Sequence, residues 1–392
     1  MFIAPQVILP EPAIPGVDMR LREFAHRLAK THEIETAKVS RPEETTLLEY
    51  LESWGLVLHN AYSIFKTAPS KNGAVSRAGE WMLDNFYIVK QTIRQIEEDL
   101  PDNFLDELPK LSETSLQGHT RIFALTREWI GYSQGQIDLT QAAIFVQEYQ
   151  QIMPLTIGEL WALPIMLRIG ILERLVYATT ELTGIEVPNS LSEVPNQFAV
   201  SLPNDTIVAN CFLSLRLLSA TDWKDFFEQT SRVEQILRDD PAQIYAGMDF
   251  DTRNNYRSVI EELARHSKYS EEQVSLAAVE FAHNEEDKVS PRKTHVGFYL
   301  IDAGRAMLEN SINYKPGIRV RVQRALLAFP TITYLGSIAF LSVLFFFGLL
   351  TYAALSGGSP IQLIITGLLG LGLAFEAAVA IVHWDITHRL KP

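Results

Sequence analysis

Asp249-Phe250-Asp251 is the stretch of this 392-residue chain that looks most like a ligand set. A D-x-D pair suits a divalent cation held against a nucleotide-sugar pyrophosphate, because Mg²⁺ and Mn²⁺ prefer hard carboxylate oxygens. Here the pair opens a helical pattern, Thr252 to Arg257. Acids at a helix start meet the positive end of its dipole. Capping is therefore the reading for both, and Asp249 and Asp251 are not assigned to a metal. Glu80 and Asp84 stand four apart, on one helical face, where two carboxylates can serve as acid and base. Together with Glu159 they are the candidate acids of a helical glycan hydrolase. Trp81, Trp129, Trp161 and Trp223 are the candidate aromatic platforms for sugar. A structural reading competes for every one of these residues. Charges recur inside apolar helices at Arg94, Glu159, Arg168, Glu173, Arg216, Arg232, Glu234 and Arg238. Such groups are expected to pair with partners on neighbouring helices. Tryptophans at apolar helical spacing are expected in the core. We favour the structural reading.

Other catalytic patterns are missing. The nine histidines show no H-E-x-x-H and no Cys/His ligand spacing. Gly131-Tyr132-Ser133-Gln134-Gly135 lacks the lysine of a P-loop, and neither G-x-G-x-x-G nor G-x-S-x-G occurs. No catalytic residue is assigned, and no cofactor is expected within the chain.

The elements that would position these residues are helical, and no convincing period-2 run appears. The pattern predicts helices over Met19–Lys30, Glu43–Thr67, Gly79–Asp99, Arg121–Tyr132, Thr140–Gln151, Thr156–Leu182, Thr206–Ala220, Trp223–Leu237, Thr252–Arg265, Glu271–His283 and His295–Asn310. Thr156-Ile157-Gly158-Glu159 and Ser270-Glu271-Glu272-Gln273 read as capping boxes, and Asp138 as the cap of the helix after it. Pro164 should kink or restart its helix. Residues 1–320 are therefore expected to form an all-α domain. Its length is at the upper limit of one core, and a division into two lobes is placed near 184–203, where Gly, Pro, Ser and Asn cluster. Cys211, the single cysteine, sits in an apolar run and is expected to be a buried small hydrophobe.

From Ala325 to Phe375 no side chain is charged. Ser356-Gly357-Gly358-Ser359-Pro360 splits this stretch into spans of about 326–355 and 361–384, each long enough for one bilayer crossing. A transmembrane hairpin over 325–386 is expected, followed by a tail, 387–392. Glu376 is a polar group inside the second span, and Gly367, Gly370, Gly372 and Ala374 would let another helix approach closely. Residues 325–392 carry Glu376, Asp385, Arg389 and Lys391, so the formal charge of −13 belongs to the preceding part. That acidity argues against nucleic acid as a partner. Met1–Gly16 has no basic n-region and four prolines, unlike a secretory signal. Lys315, Arg319, Arg321 and Arg324 precede the first span, and Arg389 and Lys391 follow the second. By the positive-inside bias both termini are expected in the cytoplasm and the loop between the spans outside.

Longer words carry a further signal. They include Ala78-Gly79-Glu80-Trp81-Met82-Leu83-Asp84-Asn85-Phe86-Tyr87, and Pro154 to Pro164 with Leu167-Arg168. Leu213-Ser214-Leu215-Arg216, Trp223 to Glu228, Asp240-Pro241-Ala242, Met248 to Phe250, Thr252-Arg253, Tyr256-Arg257, His295-Val296-Gly297 and Tyr299-Leu300 continue the series. In this order they resemble the N-terminal region of bacterial cyclic β-1,2-glucan synthases. The resemblance implies a large inner-membrane enzyme that polymerises glucose from UDP-glucose with a divalent metal and closes the chain into a ring. Its transferase core would carry spaced aspartates and a Q-x-x-R-W motif. This sequence has no Q-x-x-R-W and reaches Pro392 just after the first hairpin, where that core would begin, so no catalytic residue carries over. The expectation is a truncated or split synthase, with this chain as a non-catalytic platform. Its expected partners are the membrane and a glycosyltransferase core in cis or trans. A stand-alone membrane-tethered hydrolase, or a scaffold that binds glucan, is the alternative.

Overall fold

A computed structural model of the chain describes residues 19–34, 47–67, 76–100, 104–112, 116–186, 202–284 and 291–389. Among these the fold is all-helical, with seventeen α-helices, short 3-10 helices at Tyr245–Gly247 and Pro291–Thr294, and isolated bridges of Ile34 with Leu111 and Lys110 with Thr120. The expected lobe division falls mostly on 187–201, outside the described residues, as do the expected helix start at Glu43 and the last three residues of the tail. The chain forms two compact units, Met1–Asn313 and Tyr314–Pro392.

In the first unit the helices are α1 (Met19–Thr31), α2 (Leu47–Thr67), α3 (Arg77–Asp99), α4 (Phe104–Glu107), α5 (Arg121–Tyr132), α6 (Leu139–Gln150), α7 (Ile157–Thr183), α8 (Asn204–Ala220), α9 (Trp223–Thr230), α10 (Arg232–Arg238), α11 (Phe250–Arg265), α12 (Glu271–Asn284), α13 (Val296–Ile301) and α14 (Arg305–Ser311). α7 is the hub. It is apolar on nearly every face, which makes it a central helix, and it packs against α2, α3, α5, α8 and α9. It starts at the capping box of Thr156 and Glu159, runs through Pro164 as one helix, and stops at Gly184, whose φ of 72° suits glycine. The box at Ser270 forms reciprocally with Gln273, and Asp138 caps α6 through the Gln141 N–H. Cys211 is buried, and burial pushes its thiol up to about 12.

Two expected helices are each broken in two. The pattern over Trp223–Leu237 divides at Ser231, whose hydroxyl accepts the Glu234 N–H and starts α10 while its own N–H closes α9. The pattern over His295–Asn310 divides at Asp302–Gly304, where Gly304 lies so close to Phe298 and Tyr299 that a Cβ would stand 2.6 Å from the Phe298 ring. Periodicity is blind to both breaks, because the apolar spacing continues across them.

The second unit holds α15 (Ile318–Ala328), α16 (Pro330–Leu355) and α17 (Pro360–Arg389). The last two are each long and apolar enough to cross a bilayer. They pack as a hairpin around Ile338, Ala378 and Val382. Gly370 and Ala374 share this packed side, and a Cβ on Gly370 would overlap Leu349. Gly372 meets nothing, and Glu376 is exposed, turned from the side that Ala374 and Ala378 bury.

Candidate functional site

Glu159 shows what its region does. It is the third residue of α7, and its Oε2 accepts the Thr156 N–H at 2.9 Å. The same carboxylate takes the Arg121 Nε–H at 2.7 Å on Oε1 and an Arg121 Nη2–H on Oε2. Arg121 Nη2 also donates to the Pro154 carbonyl at 2.9 Å. Both side chains are at most 1 % exposed. One buried guanidinium thus ties the start of α5 to the start of α7. The neighbouring His32 accepts or donates to the Tyr149 hydroxyl at 2.9 Å, and burial, then the Arg121 charge, pushes its pKa down to about 4. Arg127 and Glu173 make a second buried pair between the same two helices, at 2.7 Å.

A larger knot joins α9, α10 and α11. Glu234 accepts from Arg238, Arg253, Arg257 and Tyr245. Glu228 accepts from Arg238 and Arg253. Arg257 also lies 4.9 Å from the Phe227 ring centre and 4.7 Å from that of Phe250. Trp161 stacks on Phe227 at 4.6 Å and meets Phe250 edge-on at 6.0 Å. Next to this knot, Asp240 accepts the backbone N–H groups of Ile244, Tyr245 and Val296. It also accepts from His295 Nδ1 at 2.8 Å. Although burial opposes the charge, these bonds, led by that of His295, hold the Asp240 carboxyl below the usual carboxylate range.

The residues singled out from sequence separate accordingly. Glu159 is enclosed in an ion pair, and Trp161 stacks in the aromatic layer over Arg257. Trp81 is half-buried and stacks on Phe212 at 6.3 Å, while Glu80 and Asp84 stand exposed on α3. Trp129 is buried, and Trp223 packs edge-on against Phe226. Asp249 caps α11: its Oδ1 accepts the Thr252 N–H at 2.9 Å and its Oδ2 the Thr252 hydroxyl at 2.7 Å. Asp251 is exposed in the first turn of the same helix. Among the described residues no three His, Cys, Asp or Glu side chains come together as a metal site. Sequence reasoning missed Arg121, Arg253, Arg257, Asp240 and His295 as partners. Local spacing reveals only that Arg253 and Arg257 share a helix face.

Glu271 gives this region a pH dependence. Its Oε2 accepts the Ile157 N–H at 2.7 Å, the free donor at the start of α7. Burial pushes its carboxyl up to about 7, helped by the nearby Glu261 and Glu159. The unfolded chain releases this proton near the ordinary carboxylate pH, and the folded chain holds it to about 7. The group therefore stabilises at low pH, and its contribution falls as pH rises through this window. Glu271→Gln accepts the same N–H and never ionises. The melting temperature of the variant minus that of the native chain should rise steadily from pH 5 to pH 8. A flat difference would refute the assignment.

No protein-family model matches the chain. Among curated proteins it is similar to cyclic β-(1,2)-glucan synthase NdvB of Rhizobium meliloti (strain 1021), 27 % identical over 62 % of this chain. The match takes in 11 % of that protein's length. The chain therefore resembles one part of a cyclic β-(1,2)-glucan synthase, the family to which its ordered sequence words pointed.

Proposed function

We propose that this chain serves cyclic β-1,2-glucan synthesis as a membrane-anchored, non-catalytic platform. In this reading the helical unit packs against a membrane-bound glucosyltransferase core and positions it. The core, not this chain, takes UDP-glucose and a divalent metal. The hairpin holds the platform at the bacterial inner membrane with both ends of the chain in the cytoplasm, as the basic flanks favour. The observation that carries the reading is where the shared words lie. Thr156 with Glu159, Trp161 with Phe227, Glu228 with Arg253, Asp240 with His295 and Phe250 with Arg257 are engaged in caps, ion pairs and ring contacts, and Asp249 caps α11. They tie α7, α9, α10, α11 and the start of α13 together. The hydrolase alternative keeps only Glu80 and Asp84.

The test is to express this chain beside the transferase portion of the Rhizobium relative, encoded separately. The two should co-purify, and glucan formation from UDP-glucose in the membranes should require this chain. A transferase portion equally active without it would overturn the platform role. Sugar release from β-1,2-glucan by the chain alone, abolished by E80Q or D84N, would establish the hydrolase instead.

A further inference from the structure

We propose that α15 is an interfacial helix that lies in the headgroup layer and binds anionic phospholipid. The first observation is how charge divides along the chain. Of 34 basic and 47 acidic residues, Tyr314–Pro392 holds six and two, which leaves 28 and 45 before it. The body ahead of α15 is strongly acidic and is repelled by an anionic bilayer surface. Four of the six cations, Lys315, Arg319, Arg321 and Arg324, stand in ten consecutive residues, and no acid occurs between Glu309 and Glu376. A local basic collar of this kind attracts anionic headgroups, with about fivefold in affinity for each Lys or Arg near the surface.

The second observation is what accompanies the cations. Ile318 and Val322, four apart on α15, are 82 % and 52 % exposed, and Phe329 at its end is 62 % exposed. Arg321 and Arg324, three apart, are exposed on the adjoining face. Arg324 lies 5.7 Å over the Tyr314 ring. A charge run that merely faced water would gain nothing from Ile318, Val322 and Phe329 beside it. An interfacial helix needs both features: apolar side chains that enter the acyl boundary and cations that reach the phosphates. The third observation is position. α15 ends at Ala328 and α16 begins at Pro330, so one residue separates this helix from a membrane-crossing one. Continuity with the span therefore selects the bilayer surface as the occupant.

The test uses the full chain with Ile318→Cys, labelled with an environment-sensitive dye and reconstituted in phosphatidylcholine bilayers containing increasing phosphatidylglycerol. Cys211 is buried and its thiol is poorly ionised, so labelling is selective. Dye emission should shift to the blue as the phosphatidylglycerol fraction rises, and added salt should reverse the shift. R321Q and R324Q should each weaken this response about fivefold. A second label at Val322→Cys should respond in the same way. Emission that ignores the phosphatidylglycerol fraction overturns the proposal, whether it is water-like throughout, as for a solvated run, or apolar throughout, as for a helix docked on protein.

Discussion

Arg121→Ala should lower the stability of the helical unit by about 3–5 kcal/mol, the usual cost of removing one partner from a buried ion pair. The reason lies in what remains. Glu159 is 0 % exposed, so water cannot replace the two guanidinium N–H groups it would lose. Its bonds to Thr156 persist, but they answer only part of a full negative charge. The Pro154 carbonyl loses its donor as well. Arg121→Met with Glu159→Met should recover most of the loss, since well-packed apolar side chains often replace a buried pair without penalty. A residue of about 1 kcal/mol should persist, because the capping box goes with Glu159. Chemical denaturation of the detergent-solubilised chain, followed by tryptophan fluorescence, measures all three variants. An R121A midpoint equal to the native one would remove the pair from the account. Glu159→Gln then separates structure from catalysis. A hydrolytic acid would lose activity in a folded protein, whereas the geometry here predicts loss of fold.

The parts of this structure written in local sequence were legible. Helix starts at Thr156, Ser270 and Asp138 need only a side chain and an N–H two or three residues away. The hairpin needs only length and the lack of charge. Asp249 was legible as a cap because its helix follows directly, and both of its oxygens accept from Thr252. The expectation that charges in apolar helices pair was sound for Glu159, Glu173, Arg232 and Glu234.

What could not be read is which partner each takes. Arg121 lies 38 positions before Glu159 and His295 lies 55 after Asp240, and no spacing rule spans such distances. The division at Ser231 escaped for another reason. Serine competes for backbone donors only weakly, and here the Glu234 knot fixes the outcome. α15 was read for its charges alone, since eleven residues with apolar side chains on more than one face give a poor periodic signal.

Glu234→Ala should destabilise the chain at least as much as Arg121→Ala, because Glu234 answers more charge. Its two oxygens take Arg238 and Arg253 at 3.0 Å, Arg257 at 2.6 Å and the Tyr245 hydroxyl at 2.7 Å. Arg257 is 0 % exposed, and among the described residues Glu234 is the one carboxylate paired with it. Without Glu234, among the described residues, Glu228 alone faces Arg238 and Arg253, and Arg257 keeps only Asn254 and the faces of Phe227 and Phe250. Ring faces offset about 2 kcal/mol of a desolvated cation at most, less than the roughly 3–5 kcal/mol of a broken buried pair. Glu228→Ala should cost less, since Glu228 is partly exposed and leaves Glu234 in place. Acid should act on the same knot. Burial opposes the charge on Glu234, but the Tyr245 hydroxyl and the arginines outweigh it and hold the carboxyl below its ordinary range. A depressed carboxylate stabilises above its unfolded pKa, and that contribution is lost as pH falls through the folded value. Glu234→Gln should flatten the acid limb of the stability curve, whereas Glu271→Gln should act only towards neutral pH. In membranes that hold the glucosyltransferase portion as well, glucan synthesis by the E234A pair should fall with the folded fraction and return on cooling. A loss that persists with the fold intact would place Glu234 at a working surface.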